Sequence, residues 1–380
     1  MNKNTPDTLD VRTWIEIDRK AIAKNYRAIR GILSRETKLL AVVKSNAYGH
    51  DLVPFAQEVE RLGADFLGVD SCVEGVALRK AGVEAPILVL GFVLPALLSE
   101  AADKDISLIV SNFDALSSLR GLKKKIKVHI KVDTGMCRQG FSPEEMQRVL
   151  AELGKKEMGH VVLEGVCTHF GAAKNPSFPR SVFAQMERFE GALALVDRAG
   201  WKPVRHACAT GGALLFPQFH LDMVRVGIGM YGLWPSEETK RAKGGEIILV
   251  PALSWKGIIS EIKKFPKGAK VGYDFTETLS RDTRAAVIPV GYWHGYPRAL
   301  SSIGSVLIRG KRARVLGRVS MDMIVVDATD IPGVKILDTA TLIGSDGRDE
   351  VSADELAELS QTCNYEFVTR LNPKIRRIMK

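Results

Sequence analysis

The chain lacks most features that would fix its class at a glance. Its five cysteines, Cys72, Cys137, Cys167, Cys208 and Cys363, are odd in number and widely spaced, with no C-x-x-C pair. Neither a disulfide framework nor a zinc site is expected from that pattern, and reduced thiols suit it. No apolar stretch approaches the ~20 residues that a membrane helix needs. The opening Met1-Asn2-Lys3-Asn4-Thr5-Pro6-Asp7 has no apolar region of the secretory kind. A cytoplasmic protein is therefore expected. Low-complexity segments and solenoid-like repeats are missing as well. Acidic residues are the minority charge, 44 against 54 lysines and arginines, giving a net charge of +10. The basic runs Lys123-Lys124-Lys125 and Lys374–Lys380 come with no recognition motif, so they read as solvated faces and not as nucleic-acid patches.

What is present describes a soluble globular chain. With 46% hydrophobic and 26% charged residues over 380 positions, roughly two domains are expected. From residue 38, short β-branched runs alternate with longer amphipathic stretches, the pattern of parallel βα units. Eight strand candidates can be read: Leu39–Lys44, Asp65–Val69, Ile87–Leu90, Ile106–Val110, Val128–Asp133, Leu163–Thr168, Val204–Ala207 and Met223–Ile228. Leu52–Leu62, Cys72–Ala81, Pro143–Leu153 and Arg180–Ala199 read as helices between them. The fold class is α/β, an N-terminal (β/α)8 barrel over 12–245. A mainly β domain over 246–380 follows, to which a strand from 1–18 is assignable. Its strand-like runs are Ala252–Ile262, Arg284–Val290, Ser305–Ile308, Arg312–Val319 and Met323–Asp327.

In such a barrel chemistry collects at the C-terminal strand ends, so polar residues there carry extra weight. Strand one of the barrel leads into Lys44 and Tyr48, within Val43-Lys44-Ser45-Asn46-Ala47-Tyr48-Gly49-His50. A lysine on a rigid strand in low-dielectric surroundings is a mount for Schiff-base chemistry, because burial disfavours an ammonium. A solvent-facing lysine at a strand end is the plain alternative. Strand five supplies Lys131, Asp133 and Arg138, strand six His169, strand seven His206 and Thr210, and strand eight Arg225, Gly227 and Ile228. Glycine-rich ends of the last two strands let backbone N–H groups approach a phosphate, although any single glycine equally serves close packing.

On these motifs the sequence resembles the alanine racemase family of pyridoxal-phosphate (PLP) enzymes. The likeness spans nearly the whole chain, through Asp133-Thr134-Gly135-Met136, Thr168-His169-Phe170, Val224-Arg225, Tyr231-Gly232, Val290-Gly291-Tyr292, Gly317-Arg318-Val319-Ser320-Met321-Asp322 and Asn364-Tyr365-Glu366. The resemblance implies that Lys44 carries PLP and acts as one proton-transfer base, with Tyr292 as the base on the opposite face. Two bases permit inversion, since the α-proton leaves one face of a planar centre and returns to the other. It further implies that Arg225 faces the pyridine nitrogen, and that Tyr48, Thr210, Gly227, Ile228 and Tyr365 hold the phosphate. His169 lies beside the cofactor, Arg138 and Met321 meet the substrate, and Lys131 matches a lysine carbamylated in some members. L- and D-alanine would be interconverted, supplying D-alanine for peptidoglycan, in a homodimer whose active sites are shared between subunits. No metal, membrane or nucleic-acid partner is implied.

Three departures bear on substrate choice. Ala209-Thr210 stands where asparagine and serine are common, Trp293-His294 where a small residue and an aspartate are common, and Cys137 where glycine or asparagine is frequent. A racemase of serine, lysine or several amino acids is the nearest alternative. A non-catalytic PLP-binding barrel would have no use for Tyr292, and a decarboxylase of the same barrel class would place a glutamate where Arg225 stands.

Overall fold

The computed structural model describes residues 11–380. It divides into two compact units, one formed by Lys20–Ala47 and Leu52–Val250, the other by residues up to Arg19, Tyr48–Asp51 and Pro251–Lys380. The chain opens on β1 (Thr13–Ile17), which belongs to the second of these.

The first unit is the barrel. Its strands are β2 (Lys38–Val42), β3 (Phe66–Val69), β4 (Ile87–Val89), β5 (Ile106–Val110), β6 (Ile126–Lys131), β7 (Val161–Cys167), β8 (Val204–His206) and β9 (Met223–Val226). All pair in parallel in the order β8-β7-β6-β5-β4-β3-β2-β9. The remaining seam between β8 and β9 is closed by Asp222 N–H donating to Arg205 O and Arg225 N–H donating to Cys208 O. Each expected strand is present within a residue or two, because strands buried on both faces must be nearly continuous apolar runs. Leu39, Leu40, Ala41, Leu67, Ile87, Val128, Ile130, Val166 and Val224 are completely buried. The helices Leu52–Arg61, Cys72–Lys80, Met146–Leu153 and Pro179–Arg198 run between strands. Ser71 caps the second of them by accepting from Glu74 N–H.

The second unit is mainly β. Its largest sheet runs β16-β15-β18-β10-β1-β20, drawn from Lys311–Arg314, Ser305–Ile308, Thr339–Asp346, Leu253–Ile258, Thr13–Ile17 and Arg376–Met379, with β19 (Asp349–Val351) on β18. A three-stranded sheet joins β11 (Glu261–Phe265), β14 (Thr283–Ile288) and β17 (Ile324–Asp327), and β12 (Lys270–Val271) pairs with β13 (Glu277–Thr278). Two expectations are corrected. Ala252–Ile262 is two strands and not one, because the chain turns at Ile259-Ser260 and β10 and β11 join different sheets. The basic tail is more than a surface run: Lys374, Arg376 and Lys380 are exposed as expected, but Arg376–Met379 is a strand parallel to β1 and Arg377 is half-buried. Arg377 there donates to the carbonyls of Gly49, Leu371, Asn372 and Ile375. Four acceptors satisfy a half-buried guanidinium that charge-run reading assigns to water.

Among the described residues no helix is long and apolar enough to cross a membrane, and no group of three His, Cys, Asp or Glu is placed to hold a metal ion. All five cysteines are free thiols.

Candidate active site

Lys44 lies two residues beyond β2, where the backbone leaves the strand for a left-handed turn. Ser45, Asn46, Ala47 and Tyr48 have φ of 56°, 56°, 49° and 51°. Each such L-residue costs roughly 1–2 kcal/mol, so the turn needs compensation. Ala47 N–H donates to Val43 O, Ser45 N–H to Glu74 Oε1, and Leu52 N–H to Asn46 Oδ1. Of the two surroundings open to Lys44, the structure favours the solvent-facing one over the apolar mount. Its side chain is 36% exposed, and its Nζ donates to Asp70 Oδ1 at 2.9 Å.

Arg225 stands on β9, the neighbour of β2, in register with Leu40. Its guanidinium is buried, and every hydrogen bond it makes goes to a neutral acceptor. Nη1 donates to His206 Nδ1 at 2.8 Å, and Nη2 donates to Thr168 O, Ala207 O and His169 Nδ1 at 2.8, 2.9 and 3.2 Å. Nε makes no hydrogen bond among the described residues.

Behind Arg225 runs a directed chain of hydrogen bonds. A guanidinium only donates, so His206 Nδ1 accepts; its Nε2–H then donates to His129 Nδ1 at 2.8 Å, and His129 Nε2–H donates to Glu164 Oε2 at 3.1 Å. Ser107 Oγ also donates to Glu164. Burial opposes the charge on Glu164, but its bonds from His129 and Ser107 bring the pKa below the usual carboxylate range. The carboxylate end of this chain thus answers the buried cation at the other.

The pKa of His169 falls to about 3, through burial first and then repulsion by Arg225, Arg138, Lys131 and Lys44. Lys131 donates to Gln139 Oε1 at 3.3 Å, and burial lowers its pKa, with repulsion from Arg138 and Arg225 added and Cys167 opposing. The loop carrying Arg138 is organised by Asp133, which accepts from the backbone N–H of Gly135, Met136, Cys137 and Arg138. Cys137 takes φ 55° there, a conformation that explains why glycine or asparagine would be the ordinary choice. Thr210 is buried and its Oγ1 accepts from Gly227 N–H at 3.1 Å, tying the ends of β8 and β9 together ahead of Ile228. The hydroxyl survives the departure at Ala209-Thr210.

The remaining expected residues stand in the other unit. Tyr48 and Tyr365 have ring centroids 6.1 Å apart, and burial, then Tyr48, pushes the Tyr365 phenol upward in pKa. Tyr292 and Met321 are exposed at 44% and 54% on two loops held backbone to backbone. Tyr292 N–H donates to Ser320 O and Trp293 N–H to Met321 O. Gly291 permits this approach: a Cβ there would lie 2.1 Å from Ser320 O. Trp293 is exposed, but His294 turns inward, is buried, and accepts from Gly291 N–H through Nδ1.

Sequence reading passed over Asp70, Glu74, His129 and Glu164. Asp70 follows β3 and was open to the same strand-end rule that found Lys44. His129 and Glu164 are polar positions inside otherwise apolar strands, a signal that alternation alone does not separate from a solvent-facing side chain.

Buried neutral histidines make stability depend on pH. His129, His169, His206, His220 and His294 all have pKa values lowered by burial. The unfolded chain binds protons near pH 6.5 where the folded one does not, so this stability is full above ~6.5 and is lost as pH falls below it, by up to about 1.4 kcal/mol per pH unit for each histidine. Thermal unfolding followed from pH 7.5 to pH 5 should show a steadily falling midpoint; a flat profile contradicts it.

Fold and site together define a ligand-binding β/α barrel, with an amine and a buried guanidinium on neighbouring strands, accompanied by a mainly β unit. Residues 17–235 match the family model for the alanine racemase N-terminal domain, and 252–379 the model for its C-terminal domain. The chain belongs to the alanine racemase family. The alanine racemase of Leptospira interrogans is 37% identical over 97% of this chain and 95% of its own length. That of Symbiobacterium thermophilum is 41% identical over 96% of each. Among solved structures, alanine racemase from Bacillus anthracis with bound L-Ala-P superposes at a TM-score of 0.92 with 34% identity, covering 99% of this chain and 96% of that one. Alanine racemase from D-cycloserine-producing Streptomyces lavendulae gives 0.90 and 34%, covering 99% and 98%.

Proposed function

We propose that this chain interconverts L- and D-alanine with PLP held by Lys44. The observation that carries the reading is that Lys44 follows β2 and the buried Arg225 stands on its paired strand β9, with both cations opposing a proton on His169. The residues fit PLP: a guanidinium satisfied only by neutral acceptors keeps a spare Nε donor for a ring nitrogen, and the Thr210–Gly227 junction suits a phosphate. When bound, PLP supplies an electron sink that acidifies the α-hydrogen of an amino acid joined to it.

The protein's own groups then have separable tasks. Lys44 takes or returns a proton at Nζ on one face, and the Tyr292 hydroxyl does so on the other. Arg225 donates to the ring nitrogen without readily giving up a proton, which restrains side reactions that need a protonated ring. Tyr48, Thr210, Gly227, Ile228 and Tyr365 hold the phosphate, with His169 beside the ring, and Arg138 and Met321 meet the substrate. Lys131, a buried amine of lowered proton affinity, can add CO2 to give a carbamate and a released proton, leaving an anion to steady Arg138. Tyr292, Trp293, Met321 and Met323 form an exposed, partly apolar group that supports a homodimer in which these residues serve the partner's site. A soluble cytoplasmic enzyme fits the absence of a membrane-spanning helix among the described residues.

The test is exchange of the α-hydrogen with solvent deuterium, measured with added PLP over L- and D-alanine, serine and lysine. Alanine should exchange fastest from both enantiomers. Faster exchange of serine or lysine would transfer the reading to another amino-acid racemase, and no exchange at all would overturn it.

A further inference from the structure

The Lys44 amine has a resident anion that the proposed two-base chemistry leaves unused. Asp70, directly after β3, accepts from Lys44 Nζ at 2.9 Å. The pair is not a chance meeting of two mobile surface side chains, because the backbone on each side is fixed by one carboxylate. Glu74 accepts from Ser45 N–H through Oε1 at 2.7 Å and from Asp70 N–H through Oε2 at 2.8 Å. Glu74 is itself set in the first turn of the helix Cys72–Lys80, whose cap Ser71 receives its N–H. Asp70 O in turn accepts from Gly91 N–H, which ties the segment to the second residue after β4.

Charge balance gives this clamp a purpose. Lys131 on β6, Arg225 on β9, and Lys44 and Arg138 in the segments after β2 and β6 all bear on His169. The carboxylate of Asp133 is engaged by four loop N–H groups, and Glu164 by His129 and Ser107. Asp70 is the carboxylate bonded directly to the Lys44 nitrogen.

We propose that Asp70 is a positioning residue that holds the proton-bearing form of the Lys44 nitrogen, with Glu74 locking the two in register. This rests on the reading of Lys44 as cofactor lysine and one of the two bases. When Lys44 takes the α-proton, the C–H bond breaks, its electron pair stays with carbon, and the new N–H bond points at Asp70. The positive charge formed at Nζ meets an anion already in place, so little reorganisation accompanies the transfer. When the proton is returned, the neutral amine leaves Asp70 as it was.

The experiment compares wild type, Asp70→Asn, Asp70→Glu and Glu74→Gln as PLP-loaded proteins. Borohydride reduction and peptide mass analysis of wild type first establish which lysine carries the cofactor; label on a lysine other than Lys44 overturns the underlying reading. With label on Lys44, the visible absorbance is titrated against pH, reporting the proton on the Lys44 nitrogen. Loss of the facing carboxylate in Asp70→Asn should move the midpoint to lower pH by about half a unit or more, with Asp70→Glu restoring much of it. The primary α-deuterium isotope effect in Asp70→Asn should grow for the enantiomer whose proton Lys44 takes, and stay unchanged for the other. Glu74→Gln, which keeps an amide oxygen but loses one acceptor, should give a smaller shift of the same sign. Superimposable titrations and equal isotope effects in Asp70→Asn and wild type, with Lys44 labelled, overturn the proposal.

Discussion

Tyr292→Phe is expected to lower kcat/KM by roughly 10²–10⁴-fold, the usual contribution of a positioned proton-transfer group, while the loaded enzyme keeps its visible absorbance. The substitution removes one oxygen and keeps the ring. The backbone of Tyr292 is held by Ser320 O, and Gly291 sets its approach to Met321, so neither depends on the hydroxyl. The loss therefore reads on the phenol and not on folding. The two enantiomers have equal free energies, so kcat/KM must fall alike in both directions. The α-deuterium isotope effect distinguishes them, growing for the enantiomer from which Tyr292 takes the proton. Steady-state racemisation by polarimetry checks the first statement. Undiminished rates would place the second base elsewhere.

Gly165→Ala should break the chain behind Arg225. A Cβ on Gly165 would stand 2.0 Å from His129 Nδ1 and 2.4 Å from its Cε1, within a fully buried site on β7. The imidazole has no room to yield without leaving either His206 or Glu164. Overpacking together with an unsatisfied buried polar partner gives an expected loss of about 2–5 kcal/mol. Chemical denaturation measures it, with the neighbouring substitution Glu164→Gln as a comparison. Glutamine can still accept from His129 but carries no charge, so it should alter the environment of Arg225 with less loss of stability. Equal stability of Gly165→Ala and wild type would mean that the ring adopts another placement without penalty.

The two cases differ in how visible they were in the sequence. Tyr292 and Lys44 sit in short motifs with their own residue order, and such motifs can be recognised wherever the chain places them. The eight barrel strands were equally legible, since a strand covered on both faces must be apolar along its length. The chain from Arg225 through His206 and His129 to Glu164 was not. Its members lie on β9, β8, β6 and β7, and what makes them a unit is lateral register: His129 opposite Gly165, and Cys167 opposite His206. Nothing local in Val128-His129-Ile130 specifies which neighbour fills that space. The strand in the tail was hidden for a related reason, because a strand at the end of a sheet is defined by its partner β1 and not by its own charge.

The sequence by itself determined the barrel, the mainly β unit, the family, and the residue types available for chemistry, because periodicity and ordered motifs are properties of the chain. The tertiary structure decided which of those residues share an environment. It decided between an apolar mount and a solvent-facing place for Lys44 by pairing it with Asp70 beside a strained turn, turned His294 inward, and connected a buried arginine to a carboxylate three links away. Electrostatics depends on distances of a few ångströms between side chains remote in sequence, and those distances exist only once the strands are in register.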